Sequence, residues 1–232
     1  MKNSTKALIR SIYVRLTDII RRTPFAHSRR GKLIAFEHAI ALSQPFKPSA
    51  TLEAKKHNLR EAASRINDVV IAPGEVFSFW HIVGNPNNKR RFREGRSIHK
   101  GRVSTDVGGG LCQASGIIHH LALLAGLQVT ERYNHSVDLY TDETRFAPLG
   151  TDATVFYGFR DLRILNNTTS TIRFQLYVEE NELQAELSSE RPLAQDELDI
   201  QTEVDERGYK HVVVRNSMGM VISTSVYEPL AD

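Results

Sequence analysis

The chain of 232 residues has a single cysteine, Cys112, and a single tryptophan, Trp80. One thiol excludes an intrachain disulfide framework, and it excludes zinc sites built from several thiolates. No stretch approaches the roughly 18 uninterrupted apolar residues needed to cross a bilayer. The first residues also lack the apolar core and small-residue cleavage site of a secretory signal. A surplus of one charge is missing too: 30 Lys and Arg face 27 Asp and Glu, a formal net charge of +3, which argues against a nucleic-acid stripe. These absences set the expectation of a cytoplasmic protein with no nucleic-acid partner, no metal and no cofactor. What is present is ordinary for a folded chain: 41% hydrophobic residues and enough length for one large domain, or one domain with a small appendage.

Spacing predicts helices first and strands later. Across residues 6–22, Leu8, Ile9, Ile12, Leu16 and Ile19 alternate with Lys6, Arg10, Arg15, Arg21 and Arg22 at near-helical intervals. Such a basic amphipathic helix either packs on the domain or makes peripheral contact with a membrane surface. Residues 32–43 read as a second helix ended by Gln44-Pro45. Leu52, Leu59, Ala62, Ala63 and Ile66 form a third helical stripe, with Thr51 at its N-cap and Ala72-Pro73-Gly74 as the turn that follows. From Val76 the period shortens. Strands are expected at 76–80, at 97–103 around a Lys100-Gly101 turn, and at 128–133, 137–140, 152–157, 162–165, 171–178 and 183–187, with a last hairpin from 210–215 and 220–226. Three pieces result: a helical extension over 1–50, an α+β domain over 51–190 and a β-hairpin appendage over 191–232. The fold class is α+β, with N-terminal helices and then a central helix carrying Cys112 packed on an antiparallel β-sheet.

That central helix is the richest feature. Gly108, Gly109 and Gly110 precede Leu111-Cys112-Gln113, and Ile117, Ile118, Leu121 and Leu124 continue an apolar pattern that stops at Gly126. Glycines let a backbone turn sharply, and a helix N-terminus favours a thiolate over a thiol. A nucleophilic Cys112 needs a base, and the base needs an orienting group. His119 and His120 share the helix but lie roughly 10 to 12 Å along its axis from Cys112; one of them is expected to pack in the core with a hydrogen bond or to reach solvent. His135 follows the strand that returns beside the helix. Asp138, three positions on, points to the opposite face of a strand, whereas Asp152 opens the next long strand and can pair with His135.

The expected set is therefore Cys112, His135 and Asp152, with backbone N–H groups of Gly110, Leu111 and Gln113 as oxyanion donors. A helix-borne cysteine followed by a histidine and an aspartate on successive strands resembles transglutaminase-like and papain-like cores. Other readings of the same residues are thinner. The glycines lack the lysine and hydroxyl of a P-loop, no paired-ligand spacing supports a metal on Cys112, His135, Asp138 and Asp152, and in the blandest case Cys112 is a small buried hydrophobe. Trp80, Phe77 and Phe79 are core builders.

Six segments together carry a family resemblance: Pro73-Gly74-Glu75-Val76-Phe77-Ser78-Phe79, Val107-Gly108-Gly109-Gly110-Leu111-Cys112-Gln113, Ala125-Gly126-Leu127, Glu131-Arg132-Tyr133-Asn134-His135-Ser136, Gly150-Thr151-Asp152-Ala153-Thr154-Val155 and Asp161-Leu162-Arg163. Over about residues 58–187 the chain resembles the VanW family. The resemblance implies envelope or peptidoglycan biology, because the family is named from a gene in a B-type vancomycin-resistance cluster; it implies a context and no reaction. The family's motif cysteine, histidine and aspartate fall on Cys112, His135 and Asp152. Many relatives have small hydroxyl residues and an aromatic after the Cys-Gln pair, where this chain has Ser115-Gly116 and His119-His120. The expected function is that of a cysteine-dependent hydrolase or acyltransferase acting on an amide or peptide bond of a small peptide or cell-wall precursor. The alternatives are a non-catalytic peptide- or glycan-binding module and a membrane-associated accessory protein.

Overall fold

Along the chain run α1 (Asn3–Ile20), β1 (His27–Ser28), β2 (His38–Pro45), α2 (Leu52–Ile66), β3 (Val69–Val70), β4 (Val76–Ser78), α3 (Phe79–Val83), β5 (Glu94–His99), β6 (Arg102–Val107), α4 (Leu111–Leu124), β7 (Gln128–Glu131), β8 (Arg163–Leu165), β9 (Ile172–Val178), β10 (Glu182–Ser189), β11 (Asp199–Val204), β12 (Lys210–Arg215) and β13 (Val221–Tyr227). The structure is a computed structural model that describes residues 3–28, 34–99, 102–138, 140 and 145–230. Three antiparallel sheets have the strand orders β2-β10-β9, β4-β8-β7 and β11-β12-β13, and β1-β3 and β5-β6 form pairs.

The core follows from alternation. Ile172, Phe174 and Leu176 of β9 and Leu183, Ala185 and Leu187 of β10 are buried, and the register sets Leu187 opposite both Phe174 and Ile40. Strands of period two thereby give one apolar face, and α2 and α4 lie on it. α4 is buried on almost every side, with Leu111, Ala114, Ile117, Ile118 and Leu121 among its enclosed residues, because β7 flanks it away from the β2-β10-β9 sheet. A helix enclosed this way must be apolar all round, and each large side chain it buries contributes about 1.5–3 kcal/mol. Cys112 therefore sits at one end of a deeply buried helix.

Several expected elements take other forms. Residues 38–45 are a strand and not the end of a helix: β2 pairs with all of β10, from His38 opposite Ser189 to Pro45 opposite Glu182. The run Ala39-Ile40-Ala41-Leu42 fits either period over so short a span, and the open edge of β10 decides the matter. Residues 34–37 form no regular element, and positions 32 and 33 lie outside the described residues. The stretch from Val76 changes from β4 to α3 at Phe79 because the Ser78 hydroxyl caps the helix, accepting the His81 N–H at 3.2 Å. Thr51, by contrast, makes no side-chain cap bond to α2. The hairpin at 97–103 is longer than expected, as β5 and β6, and its Lys100-Gly101 turn lies outside the described residues. The strand expected at 137–140 contracts to one bridge between Val137 and Glu228, with Leu139 outside the described residues. β11 adds a third strand to the C-terminal hairpin.

Two attachments bring the chain ends onto the domain. α1 lies with Ala7 against Gly158, where a Cβ would fall 2.4 Å from the Ala7 carbonyl oxygen, and Asp18 receives both guanidinium arms of Arg163 at 2.7 and 2.9 Å. The C-terminal sheet presses Val212 and Val214 onto Gly150 so closely that a Cβ there would meet them at 2.8 and 3.0 Å.

Candidate active site

The site begins with the glycine turn. Gly108 and Gly110 hold φ of +86° and +96°, values open to glycine and strained for other residues. Gly109 lies on the backbone of Gly95, with 2.3 Å between an added Cβ and the Gly95 carbonyl carbon. The turn is pinned from α2 by Asn58, which is fully buried. Its Nδ2 donates to the Gly109 and Arg93 carbonyls at 2.9 and 3.0 Å, and its Oδ1 accepts the Arg93 N–H at 2.8 Å. Of the three expected oxyanion donors, two are spent within the turn: Leu111 N–H donates to Gly108 O at 3.3 Å and Gln113 N–H to Gly110 O at 3.0 Å. Gly110 and Cys112 itself are left with N–H groups that meet no acceptor among the described residues.

Residues 151–155 pass beside α4 without joining a sheet, and side chains take the place of a neighbouring strand. Ser115 Oγ donates to Ala153 O at 2.7 Å and the His119 ring bonds Thr151 O at 2.7 Å. The Cys112 thiol reaches Thr154 Oγ1 at 3.5 Å and Val155 O at 3.8 Å. These partners follow the helix at intervals of three and four residues, so one face of α4 reads the whole segment. On the other side Arg132 Nε donates to Asp152 O at 2.7 Å, and Thr154 N–H donates to Tyr133 O at 2.7 Å.

Held there, Asp152 meets His135. Its Oδ2 accepts the His135 backbone N–H at 2.8 Å and ring Nδ1–H at 2.6 Å, which leaves Nε2 for the sulfur. The His135 ring is near enough to the sulfur for the two to influence each other's protonation, while the bonds the sulfur itself makes are those to Thr154 and Val155. Burial pushes the Cys112 thiol up, yet the hydrogen bond and charge of His135, with bonds from Val155 and Thr154, bring it below its ordinary value. For His135 burial alone would lower the imidazole; hydrogen bonds to Asp152 and Cys112 outweigh it and raise the ring to about 10. Burial would raise Asp152, but His135, Arg132 and Tyr227 hold its carboxyl well below the usual carboxylate range. These shifts all favour the charged forms: the thiol moves toward thiolate, the ring toward imidazolium, and the carboxylate stays ionised. Cys112 is partly buried, and the His135 and Asp152 side chains keep 28% and 27% of their surface open.

The structure thus brings together the three residues that the sequence singled out, and it sets Asp138 apart. Asp138 is taken by Arg145 at 2.8 and 2.9 Å and by Lys210 at 2.8 Å. His119 is buried in the core and His120 half-buried: burial, with the Arg132 charge nearby, lowers His119 to about 3, and burial lowers His120 to about 4. Among the described residues no group of three or more His, Cys, Asp or Glu side chains is arranged to hold a metal ion.

Sequence reasoning missed the supports of Asp152. Arg132 bonds its Oδ1 at 2.9 Å, its own carbonyl as above, and Gly150 O at 3.1 Å. The same guanidinium reaches Ser225 Oγ at 2.7 Å and Thr224 O at 3.1 Å in β13. The Tyr227 hydroxyl donates to Asp152 Oδ1 and accepts the Gly150 N–H at 3.1 Å. Arg132 stands in the quoted segment around His135 and its charge was a usable signal. Tyr227 is 75 residues from Asp152, and no local pattern marks it. Gln113 was read for its backbone alone; its side chain is buried, with neither amide atom bonded among the described residues.

Comparison with known proteins places the chain in a family. Residues 54–188 match the model of a family described as VanW like protein. Over 126 residues the chain is 33% identical to the vancomycin B-type resistance protein VanW of Enterococcus faecalis, covering 54% of this chain and 45% of that protein. Over 120 residues it is 35% identical to the uncharacterized protein YoaR of Bacillus subtilis, covering 52% of this chain and 38% of that one. The chain therefore spans less than half the length of these curated relatives. No solved structure matches it. The family match covers more than half of the chain and contains Cys112, His135 and Asp152, while Tyr227 lies beyond it; the chain belongs to the VanW family.

Proposed function

We propose that this chain is a cysteine-dependent hydrolase or acyltransferase acting on an amide or peptide bond of a small peptide or cell-wall precursor, in the setting of cell-wall biology and glycopeptide resistance that the name of the enterococcal relative indicates. One observation supports the reading above all: a thiol lowered below its ordinary value, at a helix N-terminus, faces an imidazole whose other nitrogen is bound by a buttressed carboxylate. The order of nucleophile, base and orienting acid is that of transglutaminase-like and papain-like cores, a constellation that recurs on unrelated folds.

The chemistry follows from the atoms present. Cys112 Sγ attacks the amide carbonyl carbon and a C–S bond forms, while the carbonyl oxygen takes the negative charge and is met by the Gly110 and Cys112 N–H groups. His135 passes its Nε2 proton to the amide nitrogen, the C–N bond breaks and the amine leaves. A water or a second amine then gives His135 a proton as it attacks the thioester, releasing an acid or a new amide and restoring the thiolate. Asp152 keeps the ring in the tautomer this requires.

Because Cys112 is the sole cysteine, iodoacetamide reports on it alone. The alkylation rate against pH should rise at an inflection below that of a free thiol and change again near pH 10, where His135 gives up its proton. His135→Ala should move the first inflection up to the ordinary thiol range. An inflection in that range for the native chain, unmoved by His135→Ala, would remove the activated thiol and leave the non-catalytic binding reading. Mass spectrometry of the chain incubated with cell-wall peptides should find an acyl adduct on Cys112 and none on Cys112→Ala.

A further inference from the structure

An ordinary surface helix turns its apolar stripe inward, and α1 does the reverse. Ala7 and Ser11 are buried and Asp18 is tied to Arg163, so the small and polar side docks on the domain. Leu8, Ile9, Ile12, Leu16, Ile19 and Ile20 face away, with exposures from 49% to 81%. At 3.6 residues per turn they fall on one continuous face, and Tyr13, 69% exposed, shares it. The docking contacts fix which way this face points. Gly158 leaves no room between its own backbone and Ala7, and both carboxylate oxygens of Asp18 are engaged.

Charge says what the face is for. By helical position Lys6 and Arg10 border one edge of the apolar face and Arg15 the other, all three exposed. Residues 1–33 contain nine Lys and Arg and one Asp, and that Asp is neutralised by Arg163; the remaining residues hold 21 Lys and Arg against 26 Asp and Glu. A chain of small overall charge thus carries its positive surplus in the N-terminal stretch of sequence that includes the apolar helix, while the rest is net negative. A protein partner would need an acidic rim of matching shape. An anionic bilayer supplies negative headgroups at the rim and hydrocarbon at the centre, as an in-plane amphipathic helix requires.

We propose that the outward face of α1 is a membrane-surface anchor, lying in the headgroup region of a bilayer containing anionic phospholipid, with the α+β domain held beside it. Among the described residues no helix is long and apolar enough to cross a membrane, so the contact is peripheral. The face is separate from the thiol site, and the proposal stands whether or not Cys112 is catalytic.

The test uses the full chain in co-sedimentation with vesicles. Phosphatidylglycerol–phosphatidylethanolamine vesicles should bind it, phosphatidylcholine vesicles should bind at least tenfold less, and raising salt to about 0.5 M should weaken the first. The double variant Ile12→Asp, Leu16→Asp replaces exposed residues and should keep its melting temperature and its iodoacetamide rate while losing tenfold or more in vesicle affinity. A second variant, Lys6→Glu with Arg15→Glu, should lose the preference for anionic lipid. No sedimentation with phosphatidylglycerol vesicles would overturn the anchor, as would equal binding by the native chain and the Asp variant. So would sedimentation velocity in which the native chain is a dimer that the Asp variant breaks while vesicles capture neither, since the face would then belong to a second copy.

Discussion

Asp152 carries the positional demands of the site. Its carboxylate accepts four donors, from Arg132, Tyr227 and the backbone and ring of His135, and each fixes the plane in which the imidazole lies. The Tyr227 hydroxyl is held far above the ordinary phenol range by burial and by the Asp152 charge, so it remains a donor throughout. Tyr227→Phe should cost about 1–3 kcal/mol in denaturant unfolding, because the Gly150 N–H loses its acceptor as well as Asp152 a donor. It should also move the Cys112 alkylation inflection upward, since a looser carboxylate holds the imidazolium less firmly. A variant with unchanged stability and inflection would make the contact incidental. The grouping of Cys112, His135 and Asp152 was legible because thiol chemistry would demand a base and an acid in a given order, and only His135 and Asp152 met the parity of strands. Tyr227 was not legible: its contact is made by tertiary packing across a long sequence separation.

At the scale of elements, the position of Cys112 depends on α4 beginning where it does, and that depends on α2. Asn58 satisfies three backbone groups of the 93–109 region from within the core. Asn58→Leu fills the volume but strands two carbonyls and one N–H, so the urea midpoint should fall by the equivalent of about 2–4 kcal/mol, with thiol reactivity falling toward that of a free cysteine even where the chain stays folded. Asn58→Asp keeps the acceptor and should lose less. The glycine turn and α4 were readable from local rules, since left-handed backbone and an apolar period both write themselves in residue type. β2 was not, because its partner strand β10 is remote and its own short run suits helix and strand alike. The segment 151–155 follows the same logic. Its alternation is that of a strand, and its bonds are those of a strand, but Ser115, His119, Arg132 and Cys112 supply them from side chains.

The whole molecule joins parts that the sequence suggested were separable. Residues 191–232, expected as an appendage, reach the site through Tyr227, Ser225 and Thr224, and Glu228 N–H donates to Ser136 O at 2.7 Å next to His135. We expect deletion of residues 192–232 to lower the melting temperature and to raise the alkylation inflection of Cys112 by exposing Asp152 to water. The matched family segment alone would then be a weaker nucleophile than the full chain. A truncated form with native melting and native reactivity would show the C-terminal sheet to be dispensable.

One sulfur atom in a reactive position, and no second thiol in the 232 residues, has a further consequence. When peroxide converts the Cys112 thiolate to a sulfenic acid, no neighbouring cysteine stands by to trap it as an internal disulfide. Recovery falls to small thiols or reductases arriving through solvent, and where these are scarce the oxidation continues to sulfinic acid, which they do not reverse.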